Sequence, residues 1–219
     1  RQNGDIEAFR LEGGLNGYSG KTAWNAKAYF YDSEKGIPGA IVNNVWKRSQ
    51  RQWDRNFFTQ ASFNQEVNSK YSFMVNAKYA NDYMRYLNPD TTLMYIDNHF
   101  TQQEIYASLA NKYEILKKWD ISLSTDFQWN TLDASLQNFV KPQRYTTLVA
   151  FATAFEIWKL KAQASLLGTF INEKANWEGL PNLLPEEQTQ SAPNKQEYTP
   201  AVFVSYKPFV KHDFNIRAF

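Results

Sequence analysis

Two histidines, two aspartates and a set of rings and cations carry whatever chemistry this chain can offer. His99, in "DNHF", and His212, in the turn before the final strand, are the only imidazoles. A Ser/His/acid hydrolase would need one of them as its base, and the sequence places no partner nucleophile beside either. Asp90 and Asp97, with Asn88 and Asn98, fall in one connector and could offer hard oxygen ligands to calcium, although their spacing fits no EF-hand and such residues also form turns. Trp46, Arg48, Arg51, Tyr83, Arg85, Tyr86, Tyr95 and Trp177 are better suited to contact than to catalysis. A bulky amphipathic ligand is held by aromatic faces and a few placed polar groups, and all eight lie near the ends of long connectors. The expectation is a non-enzyme without a resident cofactor, calcium in the loops being the one candidate metal.

Composition narrows the classes. Lys plus Arg number 24 against 22 Asp plus Glu, with no basic block to follow a phosphate backbone, so nucleic acid is not an expected partner. Cysteine is absent, which removes disulfides, thiolate metal sites and a cysteine nucleophile. The aromatic content is 16%, with 7 Trp, 13 Tyr and 16 Phe in a chain that is polar on average. The longest apolar run, "LVAFATAF", is far shorter than the roughly 18 to 20 residues of a membrane-spanning helix.

The elements that must position these residues are strands. In "WDISLSTDFQW", Trp119, Ile121, Leu123, Thr125, Phe127 and Trp129 alternate with Asp, Ser and Gln, the period of an extended chain. Similar patterns place strands at about 5 to 16, 22 to 32, 51 to 65, 70 to 84, 98 to 112, 118 to 131, 143 to 156, 159 to 172, 196 to 207 and 212 to 219. At about 10 to 15 residues they exceed the roughly 5 to 6 usual in soluble sheets. The connectors run short, long, short, long throughout, as in an up-and-down barrel with tight turns at one rim and long loops at the other. Residues 173 to 197, rich in Asn, Gln, Pro and Glu, read as an ordered long loop. "GIPGA" suits a type II turn.

Alternation alone leaves open which face meets water. The polar face, with Asp54, Asn56, Gln60, Lys78, Asp82, Glu104, Asp120 and Asp126, fits a wet lumen or the solvated side of a soluble sheet equally well. The apolar face decides for lipid. Rings cap both its ends, and Trp119 to Trp129 spans roughly 23 Å along the axis of a tilted strand, close to the membrane band of a barrel. Its middle holds Ala26, Ala28, Ala61, Ala77, Ala107, Thr125, Ala162, Ala164 and Gly168, small side chains that a packed core would replace with Val, Ile and Leu. The fold class is therefore all-β: an antiparallel up-and-down transmembrane β-barrel segment. A soluble β-sandwich binding module and an outer-membrane enzyme barrel are the alternatives.

"SEKGIPGAIVNN" followed by "RQWDRNFFTQASF", then "YLNPDTTLMYIDN", "YTPAVFVSYKPF" and "FNIRAF", resembles the barrel of TonB-dependent outer-membrane receptors of the Bacteroides group, from about residue 5 onward. Within that family the likeness is to cobalamin receptors, with ferric-siderophore and haem receptors as alternatives. The resemblance implies a 22-stranded barrel of which residues 1–219 form the central part, with the plug domain and the remaining strands outside this chain. It also implies a location in the outer membrane of a Gram-negative cell, lipid around the barrel, TonB acting through the plug, and a surface-exposed lipoprotein as a further partner. Phe219 is out of phase with Phe214, Ile216 and Ala218, so the end reads as a cut through a strand. The first strand's direction likewise calls for one before Arg1.

Overall fold

A computed structural model describes residues 3–38, 49–91, 94–177, 189–209 and 212–218. Its strands are β1 (Ile6–Ser19), β2 (Thr22–Gly36), β3 (Arg51–Glu66), β4 (Tyr71–Asn88), β5 (Ile96–Leu116), β6 (Trp119–Ala134), β7 (Val140–Ile157), β8 (Leu160–Trp177), β9 (Thr189–Ser191), β10 (Lys195–Phe209) and β11 (His212–Ala218). Each pairs antiparallel with its neighbour in chain order, and β9 continues the β8–β10 ladder past Ala192. No helix occurs among the described residues. All ten expected strands are present, and most run further toward the long-loop end than alternation suggests. Residues 173–177, 189–191 and 195, expected in a loop, are strand. Gly39 and Ala40 of the expected turn lie outside the described residues.

At the opposite end the turns are tight. Gly20, at φ 56, turns β1 into β2, and Lys118 at φ 69 and Trp158 at φ 54 take the same left-handed conformation between β5 and β6 and between β7 and β8. Two-residue hairpins need positive φ at a central residue to match the right-handed twist of their strands.

The sheet curls with its polar face inside. Every described register is continuous through the strand middles, so facing residues can be followed from strand to strand. A cavity of about 640 Å3 is lined mainly by residues of the polar face from β5 to β11, Lys112, Asp120, Ser122, Ala152, Ala154, Gln163, Ser165, Ala201, Phe203 and Arg217, with Thr153, Ala164 and Val202 of the other parity between them. Only a concave surface brings so many strands to one cavity. On the other face Leu123 is 47% exposed, Phe151 47% and Leu109 45%, while Ala80 is the one buried hydrophobic residue found among the described residues. The described strands form one sheet rather than two packed faces, which is not the build of a sandwich.

The convex apolar face forms a band six to ten residues high that is oblique to the register. At its long-loop edge stand Phe30, Phe57, Tyr79, Ile105, Trp129, Tyr145, Phe170 and Tyr198; at its turn edge, Trp24, Phe63, Tyr71, Tyr113, Trp119, Phe155, Leu160 and Tyr206. Trp24 lies opposite Phe63, which continues through Val75, Leu109, Thr125, Val149 and Gly168 to Tyr198. The lower edge on β2 thus shares a register row with the upper edge on β10. The band slides by about one residue per strand, which at a rise of about 3.3 Å and a spacing of about 4.8 Å corresponds to strands tilted by roughly 35°. Barrels in membranes tilt their strands by roughly 35 to 45°, and the two ring-rich edges match their aromatic girdles.

Candidate functional site

The long-loop half of the concave face carries the densest array of polar side chains, and register explains its order. On one row lie Glu12, Tyr29, Phe58, Ala80, Glu104, Asn130, Arg144 and Glu173; on the next inward-facing row lie Lys27, Gln60, Lys78, Tyr106, Gln128 and Lys195. Diagonal neighbours on adjacent antiparallel strands are roughly 7 to 8 Å apart, within a lysine's reach. Three rungs follow: Lys27–Glu12 at 2.6 Å, Lys78–Glu104 at 2.9 Å and Lys195–Glu173 at 3.2 Å. Arg10 also bonds Glu12 at 2.6 Å, and Arg144 bonds Glu173 through Nε at 2.7 Å and through its terminal nitrogen at 2.5 Å. Tyr29 stacks on Phe58 at 5.0 Å, with Arg10 over one ring and Lys27 over the other.

Beside Arg144 and Glu173 a second cavity, of about 620 Å3, opens among β5 to β9. Gln102, Asn130 and Gln190 line it with Leu132, Pro142 and Ala175. Hydrogen bonds from Lys195 and from Arg144 hold the Glu173 carboxyl below its ordinary range. A wall of this kind can orient a large polar solute.

The residues singled out by type are divided by this geometry. Trp46 and Arg48 lie outside the described residues. Arg51, Tyr83 and Arg85 are on the convex face, beyond the apolar band. Arg51 donates to Asp5 at 2.8 Å and to Glu34 at 2.6 Å. Arg85 grips Asp97 with two bonds of 2.8 and 2.7 Å and lies 4.9 Å over the Trp53 ring. Tyr95, 58% exposed, precedes β5. Tyr86 and Trp177 fall on the concave side, where the Trp177 indole nitrogen is buried with no partner among the described residues. Asp97 and Asn98 belong to β5 rather than to a loop, and alternation sends them to opposite faces. Asp90 stays in the connector, its backbone N–H donating to the Asn88 side chain at 3.3 Å. No cluster of three His, Cys, Asp or Glu suited to a metal exists among the described residues.

His99 lies between the Tyr83 hydroxyl, 2.6 Å from Nδ1, and the Asp97 carboxylate, 3.3 Å from Nε2. These groups stand on the convex side, away from both cavities, and they tie β4 to β5 above the band. The Arg85 guanidinium lowers the Asp97 pKa, first by hydrogen bonding. A depressed carboxyl contributes stability above its ordinary value of 3.8 and loses it as pH falls through the lowered value. Arg85→Gln is therefore expected to move the Asp97 titration, followed by carboxylate NMR, upward toward 3.8. An unchanged midpoint would show that the fork does not form.

No protein-family model matches the chain, and no curated protein matches it. Solved structures do. The ferric citrate transporter FecA, unliganded, superposes with a TM-score of 0.64 at 11% identity, over 98% of this chain and 36% of that one. The siderophore receptor PiuA from Acinetobacter baumannii gives 0.62 at 12% identity, over 95% and 41%. BauA, the ferric preacinetobactin receptor of the same organism, gives 0.59 at 10%, over 95% and 38%. What they share is the fold, an antiparallel up-and-down β-barrel wall. This chain spans well under half the length of each of these three proteins.

Proposed function

We propose that residues 1–219 are part of the barrel of a TonB-dependent outer-membrane receptor that takes up a bulky, scarce nutrient. The oblique, ring-edged apolar band around a polar concave face carries this reading, because only a lipid slab asks for a band level with the membrane and inclined to the register. The role is binding and selective passage, without covalent chemistry. TonB would act through a plug outside this chain, and a surface lipoprotein would sit at the long-loop rim.

For the ligand we place an iron chelate first, since the solved structures sharing the fold are named for ferric citrate, siderophores and ferric preacinetobactin. Cobalamin, implied by the sequence resemblance, comes second. Deleting the full-length gene should abolish energy-dependent accumulation of radiolabelled iron from ferric chelates and spare labelled cyanocobalamin. The opposite pattern makes the ligand cobalamin; no change in either would sink the uptake reading.

A further inference from the structure

We infer that Arg144 and Lys195, held by Glu173 on the concave wall, form a subsite for an oxyanion of the transported ligand, a carboxylate or a phosphate ester. The inference rests on the uptake reading for its biological meaning, and on geometry for the site itself.

Two cations share one carboxylate here. Arg144 spends Nε and one terminal nitrogen on a single Glu173 oxygen, and Lys195 reaches the other oxygen at 3.2 Å. The second terminal nitrogen of Arg144 has no partner among the described residues, and the two cationic side chains are 59% and 65% exposed against 25% for Glu173. The trio keeps a net positive charge that faces solvent.

Among the described residues, two further carboxylates on this side take two cations, and neither matches this setting: Glu156, with Lys118 and Lys161, sits at the turn end, away from the amide-lined cavity beside Glu173, and Glu12 shows a direct contrast. At Glu12, Arg10 lies over Tyr29 and Lys27 over Phe58, so ring faces offset the surplus charge. Neither Arg144 nor Lys195 lies over a ring among the described residues. Glu197, next after Lys195 on the same side of β10, makes no ion pair among the described residues, and Lys195 extends the other way, to Glu173. The adjoining cavity adds Gln102, Asn130 and Gln190, whose amides have no hydrogen-bond partner among the described residues. A planar guanidinium beside an ammonium suits a carboxylate or phosphate, and free amides suit the oxygens around it.

The test uses the full-length receptor in detergent at low ionic strength, titrated calorimetrically with citrate and, separately, inorganic phosphate. Wild type is expected to bind at least one, with an affinity that falls as salt rises. The Arg144→Gln/Lys195→Gln variant should bind at least tenfold more weakly, Glu173→Gln more tightly, and Arg55→Gln, on the convex face, as wild type does. Circular dichroism checks that each variant keeps its fold. Binding of citrate alone assigns a carboxylate ligand, and of phosphate alone a phosphate ester. Absence of anion binding by wild type, or equal binding by the double variant, overturns the subsite. Loss of the uptake reading leaves this result standing, because the anion titration does not depend on transport.

Discussion

Leu123→Arg is expected to destabilise the barrel by about 2 to 4 kcal/mol in a bilayer, whereas Ser124→Arg, one residue on, should cost about 0.5 kcal/mol or less. Leu123 is 47% exposed near the middle of the convex band, with Asn111 and Phe151 opposite. On the proposed lipid-facing reading, an arginine there must put its charge into hydrocarbon or thin the membrane around it. Ser124 points into the concave side between Ala110 and Ala150, where water can solvate a guanidinium. Depth supplies an internal control: Ile105→Arg, at the long-loop edge of the band, should cost only about 0 to 1 kcal/mol. Reversible denaturant unfolding of the full-length protein in lipid vesicles measures all three. Equal costs at Leu123 and Ser124 would refute the lipid-facing assignment.

The strands were legible because a sheet with one apolar and one polar face imposes a period of two. From Trp119 to Trp129 every side chain obeys it, and β6 begins where alternation begins. Beyond the band both faces are polar, alternation in polarity disappears, and the sequence pattern no longer marks the ladder. Backbone pairing does not stop there. Arg85 with Asp97 and Arg144 with Glu173 carry β4–β5 and β7–β8 past the girdle, which is why Asp97 and residues 173 to 177 read as loop and fold as strand.

Much less of the candidate site was legible. Residue type drew attention to Arg51, Tyr83 and Arg85, but face is set by parity. Counting in twos from Tyr79, in the outward girdle, brings Tyr83 and Arg85 to the convex side and leaves Tyr86 on the concave one. That count was available in the sequence once the band's sign was fixed. The Arg144, Glu173 and Lys195 trio was not, because it depends on pairing registers across three strands, and the ends of two of them had lost their periodic signal.

Gly17→Val should cost about 1 to 3 kcal/mol, most of it through Trp24. Gly17 faces Trp24 across β1 and β2, and the indole lies over it: a Cβ on Gly17 would stand 2.4 Å from ring atoms. Either the indole leaves its place at the turn edge of the band or the two strands part. Glycine usually weakens a strand, so covering it with a neighbouring ring makes it tolerable here. Trp24→Ala removes the obstruction, and in that background Gly17→Val should be neutral or mildly stabilising, since valine suits an extended chain. A double-mutant cycle on the full-length protein in vesicles then gives a coupling of about 1 to 3 kcal/mol. Additive costs would mean that the indole does not cover the glycine, and the turn-edge girdle at Trp24 would lose its structural basis.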